Sequence, residues 1–180
     1  TAVQLEIVLT IAGILDEHIG HFEEALSRYH QALDLDPENA LALDAAEALY
    51  TRMMNWPELL AILDRKLELT DDVEARKALL RKQGVIFEEQ LDDAMSAVDK
   101  HRAIVDEDAH DGEALAALHR LYAQSGQADA LHDVLQQQLA LAQAGEGGDA
   151  VALKMQVGLI DLDELGRTSE AIENFQQILA

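Results

Sequence analysis

The sequence predicts an all-α chain built from about five helix–turn–helix units, and three observations carry that prediction. Helix formers dominate: aromatics make up 4% of the 180 residues and prolines number two, so strand signals are nearly absent while Leu and Ala supply the apolar set. Small, apolar and aromatic residues recur with a period of about 34 residues, the length of one helical hairpin rather than of one helix. Gly, Asp-Pro and paired acidic residues punctuate the chain between the periodic stretches. With 49% hydrophobic and 27% charged residues, the chain can bury a substantial core and is not a disordered tail.

The first helix is expected from Val3 to Ile19, with Leu5, Val8, Leu9, Ala12, Leu15 and Ile19 on or near its apolar stripe and Gly20 ending it. The stretch from Gly20 to Ala40 then defines the unit. Phe22 opens a second helix whose Ala25, Tyr29 and Ala32 stand four and three apart and share one face, and Asp36-Pro37 stops it and opens the next. Further on, Leu43, Ala46, Glu47 and Tyr50 repeat the first-helix pattern, Trp56 takes the place of Phe22, and Leu59, Leu63, Lys66 and Leu67 supply the second helix, entered by Asn55 and Glu58 as an N-cap pair.

The third unit carries Leu80, Gln83, Gly84 and Phe87, then Ala97, His101 and Ile104. Ala97 follows Leu59 by 38 residues rather than 34, which places the extra residues in the connection 70–73 or 90–93. The fourth unit has Leu115, Leu118, His119 and Tyr122, then Gly126, then Leu131, Leu135, Gln138 and Leu139. After the loop Gly145-Glu146-Gly147-Gly148 comes a fifth, with Val157-Gly158 and then Ala171, Phe175 and Ile178. The approximate units are 3–37, 38–71, 72–109, 110–144 and 149–180 of a single array over 1–180. Ala25, Ala97 and Ala171 lie 72 and 74 residues apart and Leu59 and Leu131 lie 72 apart, so alternate units resemble each other more than neighbours do.

Leu9-x2-Ala12-Gly13, Ala25-x3-Tyr29-x2-Ala32 and Pro37, with aromatic slots at Tyr29, Tyr50, Phe87, Tyr122 and Phe175, resemble the tetratricopeptide repeat over nearly the whole chain. That resemblance implies a right-handed superhelical α-solenoid whose first helices line a concave groove. It also implies a non-enzymatic protein–protein interaction scaffold that binds a peptide or a helix of a partner. The chain departs from the family pattern at Asp16 and Asp161, which stand where an aromatic is usual, at His101, which fills an aromatic slot, and in keeping the closing proline only in the first unit. Half-a-tetratricopeptide and other helix-pair arrays share the fold class. A rival functional reading is a structural segment of a longer solenoid with no separate ligand, since the chain starts at Thr1 and neither end shows a polar cap.

Charge and motif content narrow the function classes. Thirteen Lys and Arg against 35 Asp and Glu give a net charge of −22, which repels nucleic-acid phosphates and anionic lipid surfaces, so neither nucleic acid nor membrane is expected as a partner. The longest apolar run, from Ile7 to Leu15, is far short of the roughly 20 residues needed to span a bilayer. There is no cysteine, hence no disulfide and no thiolate metal site, and the redox compartment is left open. No G-x-S-x-G elbow or other catalytic signature is present, and the Gly145–Gly148 run lacks the Lys-Ser/Thr of a phosphate loop. His18 and His21 read as surface residues on either side of Gly20, not as a metal pair, and the acidic clusters Asp71-Asp72 and Asp92-Asp93 read as helix caps. No catalytic residue, cofactor or metal is therefore expected.

Two surfaces stand out. The candidate groove-lining residues are Asp44, Arg52, Arg81, Lys82, Arg120 and Gln124, set by placing the small first-helix residues against neighbouring helices. Arg52, Arg81 and Arg120 come from three successive first helices, where a weak likeness to carboxylate-gripping tetratricopeptide grooves competes with simple neutralisation of Asp44, Glu47, Glu88 and Glu113. The apolar residues Val3, Leu5, Ile7, Val8, Ile11 and Ile14, spread around more than one face at one end, with Ile172, Phe175 and Leu179 at the other, imply end-to-end self-association of the chain.

Overall fold

In a computed structural model that describes residues 2–179, apolar residues at helical spacing and capping residues between them set ten helical segments. They are α1 (Ala2–Gly13), which runs on as a π-helical turn over Ile14–Ile19, α2 (Phe22–Leu35), α3 (Ala40–Arg52), α4 (Trp56–Glu68), α5 (Val73–Glu89), α6 (Ala94–Glu107), α7 (Gly112–Ser125), α8 (Ala128–Gln143), α9 (Ala150–Asp163) and α10 (Thr168–Leu179). No strand occurs among the described residues. Successive helices pack on one another from α1 to α4 and from α6 to α10, and the chain forms two compact units, residues 1–79 and 80–180, with the division inside α5.

The turns explain where the helices stop. Gly20 and Gly126 adopt left-handed φ values of 76° and 67°, the conformation a glycine reaches without a Cβ penalty, and their N–H groups close the preceding helices on Leu15 and Tyr122 carbonyls. Asn39, Asp93, Asp111 and Asp149 accept hydrogen bonds from the first exposed N–H groups of α3, α6, α7 and α9, and Asp72 accepts from the Ala75 N–H at 2.9 Å. Much of the excess acid at the turns therefore has a local structural task.

Three expectations are corrected. The first helix does not stay α-helical to Ile19: its last six residues wind as a π-helix, with the Gly20 N–H bonding the carbonyl five residues back. Asn55 stands at the entrance of α4, but its side chain caps nothing; only its backbone carbonyl takes part, accepting from Leu59 N–H at 3.0 Å. The extra residues of the third unit are not in its connections. They lengthen α5 to 17 residues against 13 in α3, one additional helical turn, while the flanking connections keep the usual length.

Register is kept in the second helices. Ala25, Leu59, Ala97, Leu131 and Ala171 are each the fourth residue of α2, α4, α6, α8 and α10, and all but Leu131 are at most 1% exposed. In residues 1–79 the core is built on Ala12, Ala25, Ala32, Ala42, Ala46, Leu49, Leu59 and Leu63, small residues letting helices approach and leucines filling the space between them. In residues 80–180 it is built on Ala97, Leu115, Leu118, Leu121, Tyr122 and Val134, with Phe87 and Leu131 packed against that cluster. Each fully buried leucine adds about 1.5–3 kcal/mol.

The alternation between units has a physical basis. In the first, third and fifth hairpins the first helix offers Gly13, Gly84 or Gly158, and the second helix answers four residues after its alanine with Tyr29, His101 or Phe175. An added Cβ at Gly84 would lie 2.9 Å from His101 Nε2, and at Gly158 2.7 Å from Phe175 Cε1, so these rings occupy the space a side chain would need. In the second and fourth hairpins the glycine is replaced by Glu47 or His119, which reaches across to Lys66 (2.5 Å) or Gln138 (3.1 Å) on its partner helix. The third and fifth hairpins interlock by glycine and ring and the second and fourth by a polar bridge, whereas in the first nothing lies within 4 Å of a Cβ added at Gly13.

Candidate functional site

The first helices of residues 80–180 present an exposed apolar stripe and a cleft. Along α9, Val151, Met155, Leu159 and Leu162 recur at spacings of four, four and three residues, and all four are 41–56% exposed. On a different face of α9 a cleft of about 430 Å³ opens toward α7, lined by Leu115, Ala116 and His119 on one wall and Ala152, Leu153 and Gln156 on the other; none of the four stripe residues lines it. The loop Glu146–Asp149 closes one end of it. Gly145, Gly147 and Gly148 all have positive φ there, which explains why the loop is written in glycine. His119 is held in place by its Nδ1 contact with Gln138 Oε1 at 3.1 Å.

The six groove residues read from the sequence fall into two sets, one in each compact unit. In residues 1–79, Arg52 lies 3.3 Å from Asp16 Oδ1 and stacks over the Phe22 ring at 4.1 Å, while Asp44 pairs with Lys66 at 2.7 Å. Burial alone would push the Lys66 ammonium down, but the hydrogen bonds it donates to Asp44 and Glu47 outweigh it and raise its pKa. In residues 80–180, Arg81 Nη2 donates to both oxygens of Asp111 at 3.0 and 2.9 Å, and its Nε lies 2.9 Å from Glu113. Arg120 grips Glu88 through both Nη atoms, the Nη2–Oε2 distance being 2.7 Å. That hydrogen bonding holds the Glu88 carboxyl below, and the Arg120 guanidinium above, their ordinary ranges. Lys82 is half-buried and Gln124 exposed.

Each of the three arginines thus already holds a carboxylate of a neighbouring first helix or of its cap. Glu88 and Glu113 are taken as the sequence suggested, whereas Asp44 and Glu47 are taken by Lys66 instead. His18 is exposed, and His21 lies 3.2 Å from Glu24. Among the described residues no group of His, Cys, Asp or Glu is arranged to hold a metal ion, and no helix is long and apolar enough to cross a membrane.

Comparison with known proteins meets this geometry at one stretch in particular. The tetratricopeptide repeat family model matches residues 114–148, which run from the first turn of α7 through α8 to the glycine loop. The chain carries a tetratricopeptide repeat and folds as a helical array of that type. A crystal structure of MamA protein superposes on 99% of the chain and 92% of its own length at 17% identity, with a TM-score of 0.51. YrrB, described as a tetratricopeptide protein with an unusual peptide-binding site, superposes on 96% of this chain and 83% of its own at 20% identity, with a TM-score of 0.50. At such identities the likeness is one of fold. No curated protein sequence matches the chain.

Proposed function

We propose that the chain is a non-enzymatic protein–protein interaction scaffold, and that residues 80–180 receive an extended or helical segment of a partner protein along α7 and α9. The observation that carries this reading is the α7–α9 cleft, with Val151, Met155, Leu159 and Leu162 adding exposed apolar surface on another face of α9. Exposed apolar residues at helical spacing on a rigid surface are the usual mark of a binding face. The peptide-binding site named for YrrB is a precedent on the same fold.

In this reading Arg81, Lys82, Arg120 and Gln124 form a polar rim, and Asp44 and Arg52 play the same part in residues 1–79. The rim selects weakly for anions, because an incoming carboxylate must displace Asp111, Glu113 or Glu88 from arginines they already hold. The partner segment is therefore chiefly apolar and neutral.

Selection of peptides on the full chain from a displayed library, followed by amide shift mapping, tests this. Selected peptides should be apolar and should move the amides of Ala116, His119, Ala152 and Gln156, and Ala152→Glu should abolish their binding. Failure to select any peptide, or shifts confined to other helices, would remove the groove reading. Selection of acidic C-termini whose binding is lost in Arg81→Glu would restore the anion-gripping one.

A second reading rests on the ends. Val3, Ile7, Ile11 and Ile14 of the first helix are 40–66% exposed and Ile172 and Leu179 of the last 52% and 87%, whereas Val8 is buried and Leu5 and Phe175 are half-buried. Such surface suits coverage by a further repeat or a second copy, as in a structural segment of a longer solenoid.

A further inference from the structure

The second helices of residues 80–180 carry a recurring cleft that changes character from one hairpin to the next. Between α6 and α8 it is floored by Tyr122 and Val134, edged by Ala130, Asp133 and the cation Arg102, and measures about 250 Å³. The homologous cleft between α8 and α10 has Asp161 for Tyr122, Asn174 for Val134, Glu170 for Ala130, Glu173 for Asp133 and Gln136 for Arg102, and measures about 440 Å³. The α8–α10 cleft has no phenol ring, a Gln where Arg102 stood and two more glutamates, and its one arginine is Arg167 from the α9–α10 turn.

Asp161 is 1% exposed. Its Oδ2 accepts from Asn174 Nδ2 at 3.2 Å, but its Oδ1 receives no hydrogen bond. His132 Nε2 stands 3.2 Å from that oxygen and Arg167 Nη1 3.8 Å, neither in hydrogen-bonding geometry, and Arg167 is drawn aside by Asp129 at 2.8 Å. A buried carboxylate oxygen with an unmet acceptor is destabilising until a donor completes it.

From this juxtaposition we infer that the α8–α10 cleft is a pocket for the guanidinium of an arginine displayed by a partner protein. The planar fork supplies paired donors to the Asp161 carboxylate, its charge is met by Glu170 and Glu173 at the mouth, and its alkyl stem lies along the cleft wall. Asp161 comes from α9, but the pocket shares no lining residue with the α7–α9 groove and does not depend on that reading.

The test is calorimetric titration of the full chain at pH 8 with Nα-acetyl-arginine methylamide, its citrulline and lysine counterparts, and free L-arginine. The capped arginine should bind saturably. Citrulline should bind at least tenfold more weakly, and lysine and free arginine severalfold more weakly, the last because its own carboxylate meets Glu170 and Glu173. Asp161→Tyr, which restores the ring and should keep the fold, must abolish binding, Glu173→Gln must weaken it severalfold, and Ala152→Glu must leave it unchanged. Absence of saturable binding, equal binding of citrulline, tighter binding of free arginine, or indifference to Asp161→Tyr would each overturn the assignment.

Discussion

Alanine at Gly13, Gly84 and Gly158 should have unequal effects, although the three glycines hold the same place in the repeat pattern in α1, α5 and α9. None of them has the left-handed backbone, so alanine is worth about 1 kcal/mol of helix propensity at each. At Gly13 nothing lies within 4 Å of the new Cβ, and that gain stands alone. At Gly84 the Cβ would come 2.9 Å from Nε2 and 3.2 Å from Cε1 of His101, a ring only 5% exposed, so overpacking of about 1–3 kcal/mol opposes the gain. The expected outcome is stabilisation by about 1 kcal/mol for Gly13→Ala and a change between neutral and about 2 kcal/mol of loss for Gly84→Ala. Gly158→Ala should fall nearer neutral, because Phe175 is half-buried and can give way at 2.7 Å. Urea unfolding followed by circular dichroism gives the ranking, and amide exchange in α1, α5 and α9 assigns each change to its own hairpin, since repeat arrays unfold in parts. Equal stabilisation by Gly13→Ala and Gly84→Ala would refute the glycine-and-ring interlock.

Burial lowers the His101 pKa, so the unfolded chain binds the extra proton more readily and stability should fall as pH drops below about 6.5 toward the lowered folded value. His101→Phe should flatten that slope in unfolding curves between pH 7.5 and 5; an unchanged slope would place the titration elsewhere. Glu88, lowered by Arg120, adds stability above its ordinary carboxylate pKa that is lost only at more acid pH, and Glu88→Gln should remove that acid limb in unfolding measurements below pH 4.5. Asp111→Ala removes both the cap on Ala114 N–H at 2.9 Å and the Arg81 partner, and should cost about 2–3 kcal/mol by urea unfolding. Asp149→Ala, an exposed cap with no such ion pair, should cost about 1 kcal/mol or less, and equal losses would contradict the double role of Asp111. Sedimentation over a range of concentrations should show self-association of the isolated chain that Ile7→Asp with Leu179→Asp suppresses; a monomer at every concentration would argue against adhesive ends.

Much of the fold was legible because its signals are local. The fourth-residue register of Ala25, Leu59, Ala97, Leu131 and Ala171 follows from spacing alone, and Gly20 and Gly126 mark helix ends because only glycine enters the left-handed region cheaply. The π turn at Ile14–Ile19 was not legible, since six residues are too few for apolar periodicity to separate two helix pitches. The added turn of α5 was misplaced for a related reason: apolar periodicity runs equally well through a longer helix or a shorter one with a loop. The polar bridges had a signal that went unread, because Glu47 to Lys66 and His119 to Gln138 share the same offset of 19 residues. Asp161 was visible only as a departure from the aromatic slot. Its meaning depends on His132, Asn174 and Arg167, which come from two other helices and the intervening turn.

Photocrosslinking within the full-length protein in its own cells tests the interaction groove most directly. A benzophenone side chain at Ala116 or Met155 should trap one defined polypeptide, and the adduct should disappear when Ala152→Glu is added. Adducts that form equally from Ala61 on the exposed side of α4, or none at all from the α7–α9 positions in the presence of the partner proteome, would contradict a groove built for a partner segment.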